Sequence, residues 1–120
     1  MAYAQQAALR AQTTIINIVA GAWYPLEAST ANPGVDQSGN VVRSRLERRV
    51  AVKVFNAGSA GASRAVLSYN TVHNVKQGSH FLGAGQFVVE PCSTGLTLYG
   101  RAKLASGITS IRLIVTEYGY

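Results

Sequence analysis

The sequence predicts an all-β protein, an antiparallel β-sandwich or barrel of jelly-roll-like build, preceded by an N-terminal arm or short helix. Three observations carry that prediction. Short runs of β-branched and aromatic residues recur along the chain. Turn residues break them roughly every 8 to 15 positions, and no long helical periodicity competes with them. A chain of 120 residues is long enough for one core and one domain. The expected division is an arm or short helix over residues 1–12 and a β-sandwich over 13–120, without internal repeats.

The elements follow in order. AYAQQAALRAQ (2–12) is rich in Ala and Gln. Such residues favour helix, but the segment is short for an autonomous one, so an arm that orders on a neighbour is preferred. TTIINIVA (13–20) is β-branched almost throughout and reads as the first strand. Between Gly21 and Arg45, Pro25, Asn32-Pro33-Gly34 and Asp36-Gln37-Ser38-Gly39-Asn40 supply turn chemistry. Trp23 and Tyr24 lie within this stretch, as core packing or as interface anchors.

From Leu46 to Asn56, alternation turns Leu46, Val50, Val52 and Val54 to one face and Glu47, Arg49 and Lys53 to the other. The small residues Ala57 to Ala62 read as the tip of a hairpin returning along Ala65–Val72. Phe81-Leu82 and Gln86–Glu90 are further strand segments, the latter stopped by Pro91. Leu96 to Leu104 alternates cleanly, with Leu96, Leu98, Ala102 and Leu104 inward. In the last run, Ile108–Tyr118, Ile111, Leu113 and Val115 share one face while Ile114 and Tyr118 occupy the other. Apolar residues on both faces suit a central strand or one covered by a neighbouring subunit.

Chemistry is sparse. There are two histidines, His73 and His80, and one cysteine, Cys92, with no nucleophile-elbow or papain-like context around them. The five carboxylates are spread along the chain. Asp36, Ser38, Asn40, Ser44 and Glu47 fall at calcium-loop spacing, but Val41 stands where that loop needs glycine and arginines crowd its end. The expectation is no catalytic residue, no enzyme activity, no metal and no cofactor. MAYAQQAALRAQ lacks the basic start and apolar core of a signal peptide, and no stretch approaches the ~20 apolar residues of a membrane helix. No membrane partner is expected. A single cysteine precludes an internal disulfide, in keeping with synthesis in a cytoplasm.

Charge is the strongest local signal. Charged residues are 13% of the chain, about half the usual ~25%, which fits either a surface of uncharged Ser, Thr, Asn and Gln or one covered in part by other subunits. The formal charge is +6, and Arg43, Arg45, Arg48, Arg49 and Lys53 concentrate its cations. On an extended strand Arg43, Arg45, Arg49 and Lys53 share a parity and would form a stripe. Such a stripe can neutralise phosphates, meet an acidic partner, or face solvent.

VKVFNAGSAGASRAVLSYN, FLGAGQFVVEP and TGLTLYGRAKLASGITSIRLIVTEYGY together resemble the small β-sandwich virion proteins of tailed bacteriophages. The resemblance covers roughly residues 46–120. It rests on a strand ending in an Asn-x-Gly-type turn, an Ala-Gly turn into the next strand, a Gly-Leu-Thr-Leu-Tyr strand, and a last strand closing on Glu117-Tyr118. It implies a head decoration or cement protein, or a neck or tail component, without catalysis. The implied partners are copies of itself and the major capsid protein or other virion subunits, and the implied location is a virion assembled in a host bacterial cytoplasm. Contacts would come from the arm (Tyr3, Leu9), from Trp23 and Tyr24, from the basic stripe, and from Ile114, Tyr118 and Tyr120. LERRVAVKVFNAGSAGASRAVLSY is also similar to the RNA-facing strand pair of single-stranded-RNA phage coat proteins, where the stripe would bind nucleic acid. That family ends in long helices, whereas this chain ends in a β-rich run.

Overall fold

A computed structural model describes residues 9–58, 63–69, 80–93 and 95–120. The described residues form ten strands in two antiparallel sheets, as the alternation predicts. The larger sheet is ordered β4 (Val41–Val42), β3 (Gly34–Asp36), β1 (Arg10–Ile18), β10 (Ile111–Gly119), β5 (Arg49–Asn56), β8 (Phe87–Pro91). The smaller is ordered β2 (Tyr24–Pro25), β9 (Tyr99–Lys103), β6 (Arg64–Ser68), β7 (His80–Gly83).

With the β3–β4 hairpin set aside, the outermost strands in sequence pair with each other, β1 with β10. Moving inward, β2 pairs with β9, β5 with β8, and β6 with β7. Closure comes from β10 on β5 and β9 on β6. A long hairpin rolled into two sheets has this order, which is the jelly-roll topology. Every link between successive strands of the roll except β6–β7 crosses from one sheet to the other. The hairpin expected between 52–56 and 65–72 is therefore corrected. β5 and β6 belong to different sheets, and the residues between them are a crossover; 59–62 lie outside the described residues.

The core lies between the sheets. Ile16, Ile18, Val52, Val54, Ile111, Leu113 and Val115 come from the larger sheet, and Ala65, Leu67, Leu82 and Ala102 from the smaller. Leu26, Cys92 and Leu98, which lie outside the strands, complete the core. Burying each large aliphatic side chain contributes about 1.5–3 kcal/mol. β10 sits between β1 and β5, so its inner row Ile111, Leu113 and Val115 is in the core while Ile114 and Tyr118 lie on the outer face of the sheet.

Several boundaries differ from expectation. The first strand begins at Arg10, so Arg10, Ala11 and Gln12, set aside as the end of an arm, are strand, paired with Gly119, Tyr118 and Glu117; residues 1–8 lie outside the described residues. Leu96 is exposed because it precedes β9 in a turn closed by Leu96 N–H donating to Ser93 O.

The parity of β5 is the largest correction. Its pairing with β10 passes from Tyr118↔Ala51 to Gly119↔Arg49, leaving Val50 as an extra residue in a β-bulge. The bulge reverses alternation upstream of Ala51. Val50 points out, 47% exposed, and Arg49 points in, 2% exposed. Gly119 makes the close approach workable, since a Cβ there would fall 2.1 Å from Arg48 O.

Candidate interaction surfaces

The inward turn of Arg49 builds a polar knot at one end of the sandwich. Glu117 continues the inward row Ile111-Leu113-Val115 and is fully buried. Its Oε1 accepts from Leu46 N (3.0 Å) and Arg49 Nη1 (3.3 Å), and its Oε2 from Gln12 Nε2 (2.9 Å) and Ala28 N (3.2 Å). Arg49 also donates to Cys92 O (3.2 Å), Ser93 O (3.4 Å), Leu96 O and Glu27 Oε1 (3.4 Å). Carboxylate and guanidinium are thus both saturated by groups from several elements, the condition under which a buried ion pair is tolerated. Burial pushes the neighbouring Cys92 thiol up from its ordinary pKa, against the pull of the Arg49 charge.

The basic stripe does not form. Residues 43–48 turn rather than extend, and the bulge takes Arg49 inside. Arg43 and Arg48 are exposed. Arg45 is half-exposed and engaged with Leu96 O, Thr97 Oγ1 and Glu27. Lys53 alone stands on an outer sheet face, 4.7 Å from the centroid of the Phe87 ring. Arg49 is removed from the candidate contact residues.

The outer face of the larger sheet carries a band of apolar side chains, with Arg112 and Lys53 on the same face. Register places Ile15, Ile114, Phe55 and Phe87 in one row across β1, β10, β5 and β8. The adjoining row runs Val41, Val35, Thr13, Thr116, Lys53, Val89. Ile15, Val35, Val41, Phe87 and Val89 are each about half or more exposed, and no element of the described chain covers them. Tyr118 is half-buried in the next row, between Ala11 and Ala51, and Tyr120 is exposed just past the strand. Leu9 is exposed where the chain enters β1, and Tyr3 lies outside the described residues. Tyr24 packs on the core, its hydroxyl accepting from Val19 N at 3.4 Å.

The outer face of the smaller sheet differs in kind. Phe81, Val66 and Arg101 lie in one row across β7, β6 and β9, with the Arg101 guanidinium 6.0 Å from the Trp23 ring. Arg64 and Lys103 lie directly opposite each other in the next row, and Arg64 stacks 4.9 Å from Phe81. Sequence reasoning treated these residues strand by strand. Their clustering depends on β6 pairing with β9, which local pattern does not encode.

Elsewhere, Asp36 closes the β3–β4 turn, its Oδ1 accepting from Ser38 N and Asn40 N (both 2.9 Å). The backbone N–H of Asn40 chiefly holds that carboxyl below its ordinary pKa. Among the described residues no group of His, Cys, Asp and Glu is placed to hold a metal ion, and no helix is long and apolar enough to cross a membrane. His73 and the side chain of His80 lie outside the described residues. No family model, curated protein or solved structure matches this chain, which leaves its function to be read from its own surfaces.

Proposed function

We propose that the chain is a structural subunit of a bacteriophage particle, a head decoration or cement protein that packs against copies of itself and the capsid lattice through the outer face of its larger sheet. The observation that carries this reading is the uncovered apolar row Ile15–Ile114–Phe55–Phe87 with Val35, Val41 and Val89 beside it. A contiguous exposed patch of this kind on a small domain marks an association surface. Two further features support it. Jelly rolls are a recurrent architecture of capsid subunits, although they also serve lectins and cupins, so the fold alone does not decide. The residues quoted from 46–120 resemble small phage virion proteins, and the same surface would serve a neck or tail component.

Light scattering of the purified protein in low and high salt tests the reading. A salt-stable oligomer is expected, held by apolar contacts, and Phe87→Glu should convert it to a monomer with an unchanged β circular-dichroism spectrum. A monomer at every salt and protein concentration, or an oligomer indifferent to Phe87→Glu, would remove the reading. Immunogold labelling of particles separates head from neck and tail.

A further inference from the structure

We infer that the outer face of the smaller sheet is a docking surface for single-stranded nucleic acid. The face lies on the opposite side of the sandwich from the apolar one, so both can be engaged at once and each can fail without the other.

The charge distribution supports an anion there. All five carboxylates lie among the described residues and none is on this face. Glu117 and Glu90 are buried, Glu27 is drawn into the Arg49 knot, and Asp36 and Glu47 lie beside Arg10 and Arg45 along a cleft at the end of the larger sheet. Arg64, Arg101 and Lys103 therefore share one face with no acid to neutralise them. Arg64 and Lys103 stand directly opposite in the ladder, a like-charge pair that costs stability unless an anion bridges it. Arg101 lies two residues along β9 on the same side, about 7 Å away by strand geometry.

The aromatic groups select nucleic acid over an acidic protein surface. The Arg64 guanidinium lies 4.9 Å from the centroid of the Phe81 ring, and that of Arg101 lies 6.0 Å from the centroid of the Trp23 ring. Tyr99 continues the face along β9, opposite Ser68 and Pro25. Between Phe81, Arg101 and Lys103 is an open hollow of about 310 Å³ with Val66 on its floor. Phosphate-neutralising cations interleaved with rings and guanidinium planes on which bases stack are how sheet surfaces hold single strands without reading their sequence.

The test is fluorescence anisotropy of a labelled oligouridylate of about 20 nucleotides with the full chain, as a function of salt. Three neutralised phosphates predict a slope of about −2 for log affinity against log salt, at about −0.7 per phosphate. Arg64→Gln and Lys103→Gln should each flatten the slope by about 0.7. Phe81→Leu should weaken binding roughly tenfold with the slope unchanged. Arg112→Gln, an exposed cation of the other sheet, should alter neither, and melting curves establish that the variants remain folded. No binding in low salt would overturn the inference. So would a slope that Arg112→Gln flattens as much as Lys103→Gln does, or competition by polyglutamate as effective as by unlabelled oligouridylate.

Discussion

At the scale of single residues, the Arg49–Glu117 pair governs one end of the molecule. Glu117 accepts from two backbone N–H groups as well as from Arg49 and Gln12, so it anchors the loops at Ala28 and Leu46 to the central strand. Arg49→Met should cost about 3–5 kcal/mol in urea denaturation, because it strands a buried carboxylate. The double variant Arg49→Met/Glu117→Leu should recover only part of that loss, since it leaves the Ala28 and Leu46 amides without their acceptor. Full recovery would show that the pair acts as a simple ion pair. Tyr69 offers a pH test. Burial, then its hydrogen bond to Glu90, raises its hydroxyl from an ordinary 10.0 to about 12. The folded state holds that proton more tightly than the unfolded chain does. Its contribution is therefore whole below about pH 10 and is lost as pH climbs from there towards about 12. Stability measured against pH should fall less steeply across that window in Tyr69→Phe, and parallel curves would contradict the assignment.

At the scale of elements, the bulge between β5 and β10 decides which side chains face inward. It works because Gly119 lets β10 pass against the Arg48 carbonyl, to which Tyr120 N–H donates at 3.1 Å. Gly119→Ala should lower stability by about 1–3 kcal/mol, read as a shift in the urea midpoint without a change in slope. An unchanged midpoint would mean that the backbone relaxes there at no cost. Tyr69 ties the sheets together at another edge. Its hydroxyl, just past β6, lies 2.6 Å from Pro91 O and 3.1 Å from Glu90 Oε2 on β8.

At the scale of the whole molecule, the roll closes through its ends. Gln12 and Glu117 meet across 105 positions of sequence, and the central strand, β10, is the last strand of the roll in chain order. Such long-range pairing must bear its loop-closure entropy before contacts compensate for it, so refolding is expected in the millisecond-to-second range. Stopped-flow refolding in microseconds would contradict this topology. The two outer faces also set the surface character. Because three of the five acids are sequestered and only Arg49 among the described cations is buried, the exposed surface is more basic than a formal +6 conveys.

By itself the sequence determined the class and much of the strand inventory. β-branched runs, period-two alternation and Gly/Pro punctuation are local, and local sterics fix them. The two-faced apolar character of Ile111–Tyr118 suited a central strand or one covered by a neighbouring subunit, and β10 is central in its sheet. What the tertiary structure decided is which strands pair and in what register. The apparent hairpin at 52–70 became a crossover because β5 lies between β10 and β8 in one sheet and β6 between β9 and β7 in the other. A bulge of one residue reversed the facing of Arg49 and Val50, so the stripe at 43–53 dispersed. Arg64 came to lie beside Arg101 and Lys103 of β9, distant from it in sequence, on one face. Alternation specifies two faces for each strand, but only pairing across the sheet specifies which faces join.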